Sequence, residues 1–314
     1  MRYRQLGKHG AIFSEIGLGT WAMGGQWAWG WGPQDDADSL RAIYAAFKKG
    51  INWVDTAPIY GFGHAESLIG RAVTQLGREN IYIATKCGLP WDDSRKVRRS
   101  LRPDSIRKEI EGSLRRLRTD YIDLYQHHWP DPNTSVLDSW GELVRLKQEG
   151  KVRHIGVCNY DVRLLLRCQK IAPVQSLQTQ LSMIRREALE ELLPACREHG
   201  IALLAYSPLQ NGLLTDTFTP EKLAEDDWRR KDDNFNEPAL SRHRRLVEKL
   251  RLIARSRNLT VAQLALSWIL QISPQNFAIA GARNAAQALE NAAASSTALT
   301  EEELRQLTIL LQSG

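Results

Sequence analysis

Apolar residues recur along this chain with two periods that take turns. Short runs in which nearly every position is apolar read as buried strands, and longer stretches with apolar side chains every three or four positions read as amphipathic helices. Arg2 to Ile16 (RYRQLGKHGAIFSEI) reads as a small hairpin turning at Gly7 to Gly10. Beyond it the strands expected are Ile16 to Trp21, Ile51 to Asp55, Ile81 to Lys86, Tyr121 to His128, His154 to Cys158, Val174 to Gln178, Ile201 to Tyr206 and Phe277 to Ala280. The helices between them are Asp36 to Lys49, Glu66 to Leu76, Ser105 to Arg118, Val136 to Gln148, Asp161 to Gln169, Glu187 to Glu198, Leu246 to Ser256 and Val261 to Leu270. Two more, Ala285 to Ala294 and Glu301 to Leu310, close the chain.

Apolar strands alternating with amphipathic helices call for a parallel sheet. Eight strand–helix units in 314 residues predict an α/β fold of the closed (β/α)8 TIM-barrel type, with an N-terminal hairpin and extra C-terminal helices. A doubly wound sheet would need a GxGxxG turn after its first strand. Gly17, Gly19, Gly24 and Gly25 have the wrong spacing, and the first two lie inside the strand. No linker composition interrupts the alternation, so residues 1–314 are expected to form a single domain.

Composition narrows the setting. The formal charge is +6, with basic residues crowded between Arg95 and Arg118 and again at Arg229 to Lys231 and Arg242 to Arg245. Glu and Asp are interleaved with them, which reads as solvated helix faces and not as a nucleic-acid surface. Cys87, Cys158, Cys168 and Cys196 show no metal-type pairing and are too few for a disulfide framework, which fits a reducing cytoplasm. No opening apolar h-region and no bilayer-length apolar run is present, so no membrane association is expected.

In such a barrel, chemistry collects at the C-terminal ends of the strands. Those ends carry Asp55, with Tyr60 in the glycine-flanked loop beyond it, then Lys86, His128, Asn159, Gln178, Tyr206 and Gly281. Taken singly, a strand-end Asp serves as a turn or cap residue, a Lys climbs to solvent, and a rim His is hydrogen-bonded. Convergence of Asp55, Tyr60, Lys86 and His128 on one rim points to acid–base work. A metal site using His127, His128 and Asp55 is disfavoured, because adjacent histidines on a strand point to opposite faces.

Asp55, Tyr60, Lys86 and His128 together resemble the tetrad of the aldo-keto reductases. The framing segments agree in order along the chain: GLGTWAMGG (17–25), DTAPIYGFGHAE (55–66), YIDLYQHHWPDP (121–132), IGVCNY (155–160), AYSPL (205–209) and GARNAAQALEN (281–291). The likeness is to the bacterial branch related to potassium-channel β-subunits. It implies reduction of aldehydes or ketones to alcohols, with Tyr60 as general acid, Lys86 lowering the phenol pKa by about two units, Asp55 holding Lys86, and neutral His128 orienting the carbonyl. The hydride must come from a cofactor, because no side chain supplies one. The resemblance implies NADPH (NADP⁺ after oxidation), with NADH also admitted.

For that cofactor the resemblance implies Thr20, Trp21 and Asp55 near the nicotinamide, Tyr206 stacked on its ring, and Asn159 and Gln178 on the carboxamide. Ser207 and Leu209 would follow the pyrophosphate. Gly281, Arg283, Gln287, Glu290 and Asn291 would cradle the adenosine, with Arg283 at a 2′-phosphate; by itself Arg283 also reads as a helix-start surface arginine. Cys158 stands where the family usually has Ser, and Gln287 where many members have Arg. His127 replaces a more common aliphatic residue without explanation in the sequence. Trp27, Trp29 and Trp31 join the rim tryptophans, and Trp21, Tyr60, Trp91, His128 and Trp129 are the expected walls of a carbonyl pocket.

Two other readings share these residues. A nucleotide-binding redox sensor with little turnover would keep the fold and lose the chemistry; the complete tetrad argues for an enzyme. A hydrolase would need a second strand-end acid, which is not evident. The segment 209–240 reads equally as a lid or a static insertion, and the oligomeric state stays open.

Overall fold

The computed structural model describes residues 1–27, 29–225 and 227–312. Ala28, Asp226, Ser313 and Gly314 lie outside the described residues, although the expected 1–314 unit includes them and the 209–240 segment includes Asp226.

Strands β1 (Tyr3–Gln5) and β2 (Ile12–Ser14) pair antiparallel, Tyr3 opposite Ser14, as the expected hairpin. Eight parallel strands then close a barrel: β3 (Ile16–Gly19), β4 (Trp53–Asp55), β5 (Tyr82–Cys87), β6 (Ile122–His127), β7 (Val152–Cys158), β8 (Ser176–Gln180), β9 (Ala202–Tyr206) and β10 (Asn276–Gly281). Neighbours in the barrel are neighbours in sequence, and β10 closes on β3 with Gly281 opposite Gly19. The connecting helices are α1 (Asp36–Lys48), α2 (His64–Leu76), α3 (Pro103–Leu117), α4 (Val136–Gln148), α5 (Val162–Ile171) and α6 (Leu192–His199). After β9 come α7 (Ala239–Ser256) and α8 (Val261–Gln271), and after β10 come α9 (Ala285–Ala293) and α10 (Glu301–Gln312).

The barrel interior is filled from the hairpin end. Leu6 and Phe13 pack with Trp53, Ala84, Leu124, Ala202, Leu204, Phe277 and Ile279, all buried. Trp53 is the central plug, its indole N–H donating to the Ser14 carbonyl at 2.8 Å. It also explains Gly17: a Cβ there would lie 2.2 Å from the indole ring. A filled floor leaves the opposite mouth, where the strands end, as the place for a site.

Three boundaries differ from the expected pattern for physical reasons. The first barrel strand stops at Gly19, and Trp21–Gly24 forms a 3₁₀ turn, so Trp21 stands above the sheet. The helix expected over Glu187 to Glu198 is a 3₁₀ turn at Glu187–Leu189 followed by α6. Pro194 lacks an N–H and would clash with the carbonyl four residues back, so it is tolerated only in a first turn. Conversely, α7 begins at Ala239, well before the expected Leu246, because its first two turns are largely polar and show little apolar period.

Candidate active site

Residues from three consecutive strand ends meet at the mouth. Lys86, near the end of β5, is fully buried. Its ammonium donates to Asp55 Oδ1 at 2.7 Å, to the Thr56 carbonyl at 2.8 Å and to the Tyr60 hydroxyl at 3.3 Å. All three of its N–H bonds are therefore assigned. Asp55 ends β4 and is also buried; its Oδ2 accepts from Gln178 Nε2 at 2.7 Å. The Asp55 backbone carbonyl accepts from both the N–H and the hydroxyl of Thr20, each at 3.0 Å. Asp55 and Lys86 are thus held by Thr20 just beyond β3, Thr56 just beyond β4 and Gln178 on β8. His128 follows β6 directly, its N–H donating to the Cys87 carbonyl at 2.8 Å, and its ring stands edge-on to Tyr60 with centroids 6.0 Å apart.

The electrostatics of the cluster follow from burial and pairing. Burial is the largest influence and works against the Lys86 charge, but the Asp55 carboxylate together with Tyr60 and Cys158 outweighs it and holds the ammonium above the usual lysine range. For Tyr60 the expected lowering is overturned. Desolvation pushes the phenol up to about 12; Lys86 pulls it down, and Asp55 opposes that pull. Desolvation is the larger effect and outweighs the pull of Lys86, and the Asp55 carboxylate 2.7 Å from the ammonium weakens that pull further. Burial and the Lys86 charge hold His128 well below the usual histidine range, so its ring is neutral.

Around this cluster lies a polar arc. Asn159, at the end of β7, adopts φ +60°, a left-handed conformation that Asn tolerates. Its amide bridges the mouth, donating to the His128 carbonyl at 3.1 Å and accepting from the Tyr206 hydroxyl at 3.0 Å. Gln178 sits within β8, which runs two residues further than expected, and its Oε1 has no protein donor among the described residues. Ser207, Gln210 and Asn211 all have positive φ just beyond β9, a concentration of strained backbone of the kind found at ligand sites. Ser207 Oγ donates to Asn211 Oδ1 at 3.1 Å, and Leu209 is half-buried in the same turn.

Gly281 ends β10 and is exposed; Arg283 and Gln287 follow it, the Arg283 N–H donating to Gln287 Oε1 at 2.8 Å. Asn291, buried in α9, donates to the Gly281 carbonyl at 3.0 Å, and Glu290 is half-buried beside it. These residues therefore form one continuous arc from β7 to α9. Side-chain amides, a hydroxyl, a half-buried guanidinium and a strained loop are a polar set suited to a long polar anion such as a dinucleotide.

The tryptophans divide in a way the chain order concealed. Trp27 is the one beside Tyr60, with centroids 6.3 Å apart, and it continues through Phe62 (6.1 Å) to Trp91 (Phe62–Trp91 5.6 Å). Trp21 instead packs on Trp31 and Trp228, joining the first loop to the 209–240 segment. Trp129 lies under the Arg99 guanidinium. His127 receives its explanation from packing. It points away from His128 into the helix layer, accepts or donates at 2.9 Å to the Tyr160 hydroxyl through Nδ1, and stands edge-on to Trp140. Sequence reasoning missed the Thr56 carbonyl, which has no side-chain signature. It placed Trp27 among the rim tryptophans without singling it out as the one beside Tyr60.

Comparison with known proteins agrees with this geometry. The family model described as the Aldo/keto reductase family matches residues 15–312. An aldo-keto reductase of Bacillus subtilis (strain 168) is 36% identical over 316 residues, spanning 100% of this chain and 94% of that protein. The NADH-specific methylglyoxal reductase of Escherichia coli (strain K12) is 35% identical over 320 residues, 96% of each. Among solved structures, the glycerol dehydrogenase of Gluconobacter oxydans superposes with a TM-score of 0.91 at 36% identity, covering 99% of this chain and 95% of that one. A thermostable aldo-keto reductase crystallised with the inhibitor epalrestat gives 0.80 at 31% identity, covering 99% and 100%. A filled barrel with a buried acid–base cluster at its mouth and relatives that span its length leave one assignment: the chain belongs to the aldo/keto reductase family of NAD(P)H-dependent oxidoreductases.

Proposed function

We propose that this chain, acting as one barrel unit, reduces small aldehydes or ketones to alcohols with NADPH, and also accepts NADH. The observation that carries the reading is the division of the Lys86 ammonium among Asp55, Thr56 and Tyr60. When bound, the nicotinamide supplies the hydride to the carbonyl carbon. Tyr60 gives its hydroxyl proton to the carbonyl oxygen, and the third N–H of Lys86 receives the phenolate left behind. A phenol held near 12 is still the stronger acid toward an alkoxide, so the transfer runs downhill as the oxygen gains charge. His128, neutral, donates one ring N–H to the same oxygen and sets its direction toward Tyr60. Asp55 keeps Lys86 charged in a site that would otherwise strip its proton.

Asn159 and Gln178 would hold the carboxamide, Tyr206 the ring face, Ser207 and Leu209 the pyrophosphate, and Arg283 with Gln287, Glu290 and Asn291 the adenosine end. Trp27, Phe62 and Trp91 make an aromatic wall beside Tyr60, and His128 stands edge-on to Tyr60. The names of two relatives, a methylglyoxal reductase and a glycerol dehydrogenase, support short carbonyl and hydroxy compounds as the substrate class. Tyr60→Phe tests the reading. Turnover of a short aldehyde followed by NADPH absorbance should fall by at least about a thousandfold, the upper range for one general acid, with cofactor affinity unchanged within about twofold. Retained turnover, or a comparable loss of cofactor affinity, would remove Tyr60 from the proposed role.

A further inference from the structure

Arg283 joins two loops that are far apart in the chain. Its Nε donates to Gln34 Oε1 at 2.7 Å and its Nη2 to the Pro33 carbonyl at 2.7 Å, while Gln34 Nε2 returns a bond to the Arg283 carbonyl at 2.8 Å. Gln34 is itself fixed, donating also to Ser39 Oγ at 3.2 Å near the start of α1. The acceptors on Arg283 are both neutral. No carboxylate among the described residues lies within ion-pair distance of it, whereas the neighbouring Arg229 is paired with Asp227 at 2.6 Å. Burial and then the Arg229 charge weigh against the Arg283 proton, and Asp227, itself paired with Arg229, only partly offsets them. Nε and Nη2 form one edge of the guanidinium fork, and they are the edge that Gln34 and Pro33 hold. Nη1 has no acceptor among the described residues, so the other edge remains for a ligand.

We propose, resting on the dinucleotide reading above, that Gln34 is the positioning residue that makes this chain discriminate for the 2′-phosphate of NADP(H). It fixes Arg283 through a neutral amide, so that the guanidinium arrives oriented and with its full charge. A carboxylate at this position would keep the contact with the Arg283 guanidinium, give up the bond now returned to the Arg283 carbonyl, and cancel the charge that recognises a phosphate. That contrast separates recognition from simple loop stapling.

The test needs no turnover. NADP⁺ and NAD⁺ are titrated against the full chain by quenching of tryptophan fluorescence, in the wild type, Gln34→Glu and Gln34→Met, with melting temperatures recorded alongside. The wild type should bind NADP⁺ more tightly than NAD⁺. Gln34→Glu should weaken NADP⁺ binding by roughly tenfold to a hundredfold, the loss expected for a charge-assisted contact, and change NAD⁺ binding by less than about threefold. Its melting temperature should change little, because the new ion pair with Arg283 offsets the bond lost to the Arg283 carbonyl. Gln34→Met, which keeps the charge and loses the tether, should give a smaller loss confined to NADP⁺. Equal binding of both nucleotides by the wild type, or parallel loss of both in Gln34→Glu, overturns the inference and leaves the enzyme reading intact. A wild type that binds neither nucleotide overturns both.

Discussion

The Lys86–Asp55 pair makes a prediction that separates stability from chemistry. Both groups are buried, and Nζ lies 2.7 Å from Oδ1. At an effective dielectric of about 20, unit charges at that distance attract by roughly 6 kcal/mol before desolvation is counted. Removing one partner of such a pair costs about 3–5 kcal/mol, because the other charge stays buried without compensation. Asp55→Asn keeps an oxygen for Lys86 and should fall at the low end of that range. Lys86→Met strands the carboxylate with Gln178 alone and should fall at the high end. With an unfolding entropy of about 2.1 cal/mol/K per residue over 314 residues, these losses correspond to melting-temperature drops of about 5–8 °C. The double variant Asp55→Asn with Lys86→Met buries no charge and should recover to within about 1–2 kcal/mol of the wild type, yet remain inactive.

Urea denaturation followed by tryptophan fluorescence measures the four proteins on one scale, and the cycle isolates the pair. The sign of the pH dependence is a further check. In Asp55→Asn, burial without the carboxylate should drive Lys86 neutral in the folded state, while the unfolded lysine keeps its proton up to about pH 10. The unfolded state then binds more protons, so the stability of that variant should rise between pH 7 and 9 relative to the wild type. Additive single losses, or a loss below about 1 kcal/mol in Asp55→Asn, would refute a charged, mutually dependent pair.

Two other outcomes follow from the titrating groups. Tyr60 is held near 12, Lys86 above its usual range and His128 well below its own, so kcat/KM for carbonyl reduction should be flat from about pH 6 to 9. The proton on Tyr60 is lost only as pH rises toward 12; a limb near pH 7 that vanishes in His128→Gln would contradict the neutral imidazole. Glu109, buried beneath the β5 loop, accepts from the Gly88 N–H at 3.0 Å and the Leu89 N–H at 3.3 Å, and burial pushes its carboxyl up to about 8. Between the ordinary carboxyl value and about 8 the folded state holds a proton that the unfolded chain has released, so stability should fall as pH rises through that window. Glu109→Gln should flatten that slope in denaturation midpoints compared at pH 5 and 8.5; an unchanged slope would place the titration elsewhere.

What the sequence disclosed and what it withheld follow the range of the forces involved. The barrel was legible because its strands are largely buried on both faces and most connecting helices on one, which writes two periods directly into the chain. Asp55, Lys86 and His128 were legible for the same reason: each is a polar residue at the abrupt end of an apolar run. The failures are of contacts that no local pattern encodes. Pro194 broke an expected helix through one missing N–H, a local rule that apolar spacing alone overlooked. Trp21 and Trp27 look alike in sequence, but only the fold sends one toward Trp228 and the other toward Tyr60.

The Tyr60 error is the most instructive, since the partners were named correctly and the sign came out reversed. Sequence reasoning paired Lys86 with Asp55 but left out the cost of desolvating the phenolate. The folded chain gave it a cation already matched to Asp55, in a pocket dry enough for desolvation to outweigh what remained. In the proposed reduction the Tyr60 proton would therefore stay on the phenol until charge develops on the carbonyl oxygen. That is the condition under which a strong phenolic hydrogen bond favours the transition state over the resting enzyme.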